Sequence, residues 1–404
     1  MNILWGLIGI AVVLGIAFIF SNNKKSINLR TILGGLAIQF IFAFLVLKWE
    51  TGKLLLKKLS LGVNEIVNYT DAGVQFLFGG LFQAENIGFV FAFQVLTVVI
   101  FFSSLISVLY YLGIMQVIIK ILGGALSKLL GTSKAESLSA AANIFVGQTE
   151  APLVVKPYIA KMTQSELFAI MVGGLASVAG SVLIGYSLLG VPLEYLLAAS
   201  FMAAPAGLIM AKIMIPETEK SESSDELRME KDTDSVNVID AAAKGASTGL
   251  QLALNIGAML LAFIALIALI NGLLGFVGGF FGAGNITLET ILGFVFAPLA
   301  FAIGVPWDEA VKAGGFIGQK LILNEFVAYS SFAPQIEQLS AKTVAIISFA
   351  LCGFANVSSM GILLGGLGSL APNRRGDIAR MGVRAVIAGM LASLLSAAMA
   401  GMLL

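Results

Sequence analysis

Asn143-Ile-Phe-Val-Gly-Gln-Thr-Glu150-Ala-Pro152 and Gly318-Gln-Lys-Leu-Ile-Leu-Asn-Glu325-Phe-Val-Ala328 each set a glutamate and several polar neighbours inside sequence that is otherwise strongly apolar. A charged side chain in hydrocarbon costs roughly 3 kcal/mol even on the mild insertion scale, so a glutamate there needs a partner, a proton or a ligand. An interrupted segment also frees backbone groups that lipid cannot satisfy and that must face protein or a wet cavity. Both stretches read as re-entrant hairpins, over 137–162 and 305–332.

The composition around them is that of a membrane protein. The chain has 404 residues, 58% of them apolar and 12% charged, with a mean hydropathy of +0.97. A soluble domain carries roughly a quarter charged residues. A bilayer crossing takes about 20 mostly apolar helical residues. Stretches that meet or approach this length run over 3–20, 32–47, 92–112, 167–188, 191–210, 250–270, 344–367 and 386–404. The fold class expected is therefore an all-α polytopic membrane protein with eight transmembrane helices, two re-entrant hairpins in inverted repeats, and interfacial helices. The amino terminus lacks a basic region and a small-residue cleavage site, so it reads as a retained helix.

Lys and Arg cluster in alternate connections: Lys24, Lys25 and Arg30; Lys120, Lys128 and Lys134; Lys212, Lys220, Arg228, Lys231 and Lys244; Arg374, Arg375 and Arg380. The positive-inside rule puts these in the cytoplasm and both termini outside. Lys53, Lys57 and Lys58 break the pattern, but they sit in an amphipathic stretch, 54–67, that reads as a helix lying along the interface. With 24 basic against 23 acidic residues, net charge gives no reason to expect nucleic acid as a partner.

A division follows from the repeats. Residues 1–112 supply scaffold helices and the interfacial segment. Residues 113–215 hold the first repeat, with its hairpin and a broken helix over 167–188. Residues 216–246 form a polar cytoplasmic loop, 247–285 a further scaffold helix, and 286–404 the second repeat, with its hairpin, a broken helix over 342–368 and a last helix over 378–404. Polar breaks follow the two glutamates after similar intervals: Ser177-Val178-Ala-Gly180 and Phe354-Ala-Asn356-Val-Ser-Ser359. The first hairpin enters from inside and the second from outside, so the repeat is inverted. Paired interrupted segments at corresponding places mark the midplane site of secondary transporters.

Gln148, Thr149, Glu150, Glu325, Asn356 and Ser359 can all hydrogen-bond a polar neutral molecule, and Phe354 offers a flat apolar face. Asn143, the carbonyl of Val146, Ser177 and the carbonyl of Val178 supply neutral oxygens at a hairpin tip and a helix break, a set that suits Na⁺. Ca²⁺ or Mg²⁺ would call for carboxylates among the ligands. Asn143 and Ser177 have a simpler reading too, as satisfiers of local backbone. Lys156 and Lys320 lie toward hairpin ends and are expected to snorkel rather than to pair with the glutamates. The lone Cys352 and the absence of histidine exclude an intramolecular disulfide and an ordinary zinc site.

Phe89-Val-Phe-Ala-Phe-Gln-Val-Leu96, Gly147-Gln-Thr-Glu-Ala-Pro-Leu-Val-Val-Lys-Pro-Tyr158, Leu323-Asn-Glu-Phe-Val-Ala-Tyr329 and Ala350-Leu-Cys-Gly-Phe-Ala-Asn-Val-Ser-Ser359 together resemble the concentrative nucleoside transporter family, from about Phe89 to the carboxyl end. The resemblance implies a nucleoside importer of the cell membrane. Gln148, Thr149 and Glu150 would contact the nucleobase with Val182 beside it, while Glu325, Asn356 and Ser359 would hold the ribose hydroxyls and Phe354 would pack on the sugar. Two vicinal hydroxyls can donate to one carboxylate, and charge-assisted bonds are the stronger kind. In sodium-coupled members the positions matching Asn143, Val146, Ser177 and Val178 bind Na⁺, whereas other bacterial members resemble proton symporters. The family also implies a homotrimer working by an elevator-type movement, with Na⁺ or H⁺ as coupling ion and no other cofactor.

An intramembrane enzyme fits poorly. Ser-His chemistry has no histidine, and every Asp lies in a polar or boundary segment. A channel or a structural membrane scaffold would fit the hydropathy but not the two glutamate-bearing hairpins.

Overall fold

The computed structural model describes residues 2–82, 90–219, 235–280, 282 and 286–404. Phe89, Lys220, Arg228 and Lys231, and residues 220–234 of the polar loop, lie outside the described residues. Among the described residues every element is helical. The amino-terminal part comprises α1 (Asn2–Ile19), α2 (Leu29–Leu47), α3 (Glu50–Asn68), α4 (Thr70–Phe82), α5 (Phe91–Gln94) and α6 (Leu96–Tyr111). The first repeat follows as α7 (Ile114–Leu130), α8 (Lys134–Ala142), α9 (Lys156–Ile159), α10 (Gln164–Ala176), α11 (Gly180–Leu188) and α12 (Leu193–Met214). After the linker come α13 (Val238–Gly279), α14 (Leu288–Ala302), α15 (Trp307–Ile322), α16 (Glu325–Phe332), α17 (Ala341–Leu351), α18 (Ser359–Leu370) and α19 (Arg375–Leu403).

Six described helical stretches are long and apolar enough to cross a bilayer: α2, α5 with α6, α10 with α11, α12, α13, and the carboxyl-terminal helix containing α19. α1, α17 and α18 are shorter apolar helices, and α14 meets α15 at a bend of 116°. Gly304, at a φ of 112°, takes that turn in the left-handed region where a side chain would be strained. α13 departs most from its expected extent. It begins at Val238, inside the tract read as linker, and runs for 42 residues. Asn237 starts it there by accepting from the Asp240 amide at 2.9 Å.

Burial divides the helices into two kinds. In the most apolar window, α10 with α11 is 94% buried, α12 89% and the α19 stretch 94%, against 22% for α2, 22% for α5 with α6 and 6% for α13. The inner helices pack on one another around both hairpins. The outer ones turn long apolar faces outward, as Leu250, Leu254, Leu261 and Leu269 of α13 do. α13 is held to α6 by small residues: a Cβ on Gly245 would come within 2.7 Å of the Ser103 carbonyl, and one on Gly249 within 2.8 Å of the Ile100 Cα. Ser104 and Ser107 complete the contact by donating to the Ala242 and Ala241 carbonyls at 2.9 and 2.8 Å.

The inner end of the first repeat is pinned by charge. α8 and α10 each start with a capping box, Ser133 with Glu136 and Thr163 with Glu166. Lys212, buried near the end of α12, lies 2.6 Å from Glu136 and 3.7 Å from Glu217, and donates to Ser165 at 2.9 Å. One ammonium therefore ties three elements together out of water. α3 has its lysines exposed along one side and buries a narrow stripe of Gly52, Leu56 and Ser60, which fits the amphipathic reading of 54–67.

Candidate functional site

The first hairpin turns at Asn143, the residue that ends α8 and whose Nδ2 donates to the Ser139 carbonyl at 3.0 Å. Beyond it the chain runs in turns to Glu150, which accepts from the Gly147 amide at 3.2 Å. The Gly180 amide donates to the Phe145 carbonyl at 2.9 Å, and Ser200 donates to the Ile144 carbonyl at 2.7 Å. A Cβ on Gly174 would lie 2.7 Å from Cβ of Gln148, so only a glycine lets the tip seat on α10. That seat sets Asn143 and the α10 break side by side: a Cβ on Gly173 would lie 3.2 Å from Nδ2 of Asn143. Ser177 ends α10 and donates to the Gly173 carbonyl at 3.0 Å. Val146 and Val178 are buried in the same place.

Three oxygens or polar groups here lack partners. The side-chain oxygens of Ser139, Asn143 and Gln148 are buried with no hydrogen bond, which is costly for buried polar atoms. Among the described residues no cluster of three or more His, Cys, Asp or Glu could hold a metal. The partnerless oxygens at the first tip belong to neutral side chains.

The second hairpin turns at Asn324, whose side chain caps α16 by accepting from the Val327 amide at 2.9 Å. Glu325 is the first residue of α16, where a helix N-terminus favours a negative charge. Its Oε1 accepts from the Tyr186 hydroxyl at 3.1 Å and its Oε2 from Nδ2 of Asn356 at 3.1 Å. Asn356 is held in turn through Oδ1, which accepts from Ser358 Oγ at 2.7 Å and from the Ser359 amide at 2.9 Å. The break between α17 and α18 is tied to the first repeat where the Phe354 amide donates to the Ser177 carbonyl at 3.0 Å.

These tips and breaks wall one cavity of about 710 Å³. Gln148, Thr149, Glu150, Val182, Glu325, Phe354, Asn356 and Ser359 all line it. Thr149 and Glu150 are exposed to it, while Glu325, Asn356 and Ser359 are buried around it. Carboxylates, amides and hydroxyls converge here among apolar side chains such as Val182, Leu252, Ile256 and Phe354, which is how a site for a polar neutral molecule is built.

Sequence reasoning missed several wall residues. Ser247, Thr248, Gln251 and Asn255 of α13 face the same cavity. Their spacing of three and four residues in an apolar helix was the available signal. Tyr186 was also missed. Its ring lies 4.4 Å from that of Tyr329 and 4.7 Å from that of Phe326, and a fully buried tyrosine needs a partner for its hydroxyl. The snorkelling expected of Lys320 is wrong: the residue is fully buried and its Nζ donates to the Ala350 carbonyl at 2.8 Å and to Ser393 at 3.0 Å. α15 packs against α14 and α17 along this stretch, so its hairpin-end position in sequence is an interior position in space. Lys156 is exposed.

Known families cover nearly the whole chain. Residues 195–401 match the Na⁺ dependent nucleoside transporter C-terminus, 8–81 its N-terminus, and 92–192 a Gate family described as nucleoside recognition. The nucleoside permease NupC of Helicobacter pylori is 52% identical over 411 residues, spanning 99% of this chain and 97% of that protein. The solved structure of CNTnw in an inward-facing substrate-bound state superposes with a TM-score of 0.94 at 56% identity, over 100% of this chain and 98% of that one. A double variant of CNTnw in an outward-facing state gives 0.95 at 55%, over 100% and 98%. Hairpin tips that converge on one polar cavity, in sequence shared from end to end with nucleoside permeases, place this chain in the concentrative nucleoside transporter family.

Proposed function

We propose that the protein imports nucleosides across the cell membrane in symport with Na⁺, by an elevator-type form of alternating access. The observation that carries the reading is Glu325: a buried carboxylate, oriented by Tyr186 and Asn356, at the wall of a cavity large enough for a nucleoside. Held this way it can accept from both hydroxyls of a ribose, with Asn356 and Ser359 beside it and Phe354 against the sugar ring. Gln148, Thr149 and Glu150 then take the base edge, and Val182 packs on the base.

For the ion, the side chain of Asn143, the carbonyl of Val146, Ser177 and the carbonyl of Val178 form the receiving set. The partnerless Asn143 oxygen and the neutral donor set support a monovalent cation. Binding of the ion would stiffen the same tip that presents Gln148 and Glu150, and that shared element is a physical route to coupling.

The burial contrast supports the elevator. The hairpins, α10, α11, α12 and α19 form a compact inner body, and α13 with α6 an outer wall. Structures of CNTnw described as inward-facing and outward-facing are in keeping with two end states. The outward apolar faces suit lipid and neighbouring copies in a homotrimer, with both termini outside. The division into 1–112, 113–215 and 286–404 corresponds in this reading to scaffold, first repeat and second repeat, with the loop of 216–246 shortened because the scaffold helix read over 247–285 already starts at Val238. Uptake of labelled uridine into proteoliposomes under an imposed Na⁺ or H⁺ gradient tests the proposal. Concentrative uptake with Na⁺ alone is expected. Concentration driven only by H⁺ would overturn the ion, and failure to concentrate at all would overturn symport.

A further inference from the structure

The second hairpin carries a charge that nucleoside binding leaves unused. Lys320 is fully buried, and its Nζ donates to the Ala350 carbonyl at 2.8 Å and to Ser393 Oγ at 3.0 Å. The same Ser393 oxygen lies 3.4 Å from the Cys352 carbonyl. Ala350 is in the last turn of α17, where carbonyls lack intrahelical partners and the negative end of the helix dipole favours a cation. Among the described residues no carboxylate is within ion-pairing distance of Lys320. The ammonium is met by the Ala350 carbonyl at a helix end and by the Ser393 hydroxyl, with the Glu325 carboxylate close enough to act on it electrostatically.

The inverted repeat relates this place to the one read for sodium. Ser177 follows Glu150 by 27 residues and Cys352 follows Glu325 by 27. Each ends the first half of its broken helix, α10 or α17. With the two glutamates superposed in register, Lys320 falls opposite Phe145, two residues from Asn143. The two breaks also meet in space. The Phe354 amide donates to the Ser177 carbonyl, and a Cβ on Gly353 would come within 3.0 and 3.1 Å of the Ala176 and Leu175 carbonyls. Two helix C-termini therefore converge, and each calls for positive charge. Beside α10 the fittings are neutral, with the Asn143 oxygen partnerless; beside α17 an ammonium is already in place.

We propose that Lys320 is a tethered cation, filling the second repeat's counterpart of the sodium place and thereby holding the coupling at one ion per nucleoside. It acts as a positioning residue, setting the charge at the crossing of the two breaks without touching the substrate. The inference rests on the sodium-coupled reading above.

The test is the sodium dependence of initial uridine uptake in proteoliposomes for the wild type, Lys320→Ala and Lys320→Met. The wild type should follow a Hill coefficient of about one. Lys320→Ala opens space for an ion and should lose most of its uptake at sodium that saturates the wild type. It should regain uptake at higher sodium with a Hill coefficient rising toward about two, or on addition of ammonium. Lys320→Met fills the space with apolar atoms and should not be rescued. An unshifted sodium curve in Lys320→Ala, beside a sodium-dependent wild type, overturns this inference alone. So does an inactive but folded Lys320→Ala that neither sodium nor ammonium restores. A wild type indifferent to sodium overturns the ion assignment and this inference with it. If uptake is lost through poor insertion, thermal unfolding of the purified variants in sodium, ammonium and choline decides: ammonium must stabilise Lys320→Ala more than it stabilises the wild type, and equal responses overturn the proposal.

Discussion

The Tyr186 hydroxyl donates to Glu325 at 3.1 Å across 139 residues of sequence, joining the broken helix of one repeat to the hairpin of the other. A hydrogen bond to a charged group contributes about 1.5–3 kcal/mol, or roughly 10- to 100-fold in an equilibrium. Tyr186→Phe should therefore raise the half-saturating uridine concentration by about tenfold while leaving protein levels unchanged. Glu325→Gln keeps the shape but loses the charged acceptor, and its uridine uptake should fall to background. Initial rates of labelled uptake read both; full uptake in Glu325→Gln would remove the carboxylate from the substrate's path.

At the break that ends α10, Ser177→Ala removes one neutral oxygen from the set proposed for Na⁺. The sodium concentration giving half-maximal uptake should rise several-fold, with the nucleoside dependence at saturating sodium close to that of the wild type. A sodium titration of uptake checks this, and an unmoved midpoint would take Ser177 out of the set.

α13 offers a test of the outer wall. Gln251 and Asn255 are one helical turn apart and line the cavity opposite the hairpin tips. From Ser247 to Asn255 the stripe runs roughly 12 Å at the helical rise. Gln251→Leu with Asn255→Leu should lower uptake several-fold, with each lost bond to a polar ligand worth about 1 kcal/mol. Uptake kinetics equal to wild type would mean that this stripe meets only water.

Lys212 does not line the cavity and should report on stability instead. Lys212→Met leaves Glu136 buried without its counter-charge, at a cost of roughly 3–5 kcal/mol. The thermal midpoint of the purified protein should drop, and Glu136→Gln added to Lys212→Met should recover part of the loss. A midpoint unchanged in the single variant would show that the pair adds nothing to the fold.

The two hairpins and the helix breaks were legible in sequence because a carboxylate or an asparagine in hydrocarbon is too expensive to be accidental. Glu150, Glu325, Asn356 and Ser359 announced themselves by cost, and all four line the cavity. Lys320 misled because depth in a folded body is not a property of position along a hairpin. A lysine a few residues from a tip can snorkel or be enclosed, and only the packing of α14 and α17 around α15 decides which. The α13 stripe was hidden for the opposite reason: isolated Ser, Gln and Asn residues cost little each, and long apolar stretches between them masked their shared face. Tyr186 was invisible because a tyrosine in an apolar helix is also a common way to reach an interface, and its partner lies in the other repeat.

Gly174 and Gly353 admit no added carbon: at Gly174 a methyl group would strike Gln148 at 2.7 Å, and at Gly353 it would strike Ser393 at 2.6 Å. The seats of both repeats are thus machined to zero clearance. A lineage adapting this chain to another nucleoside has little freedom to shift its turns, and is left to vary the few side chains that look into the cavity, such as Thr149, Val182 and Ile362. If the ion is held in the turns as proposed, its handling should change far more slowly than taste for cargo.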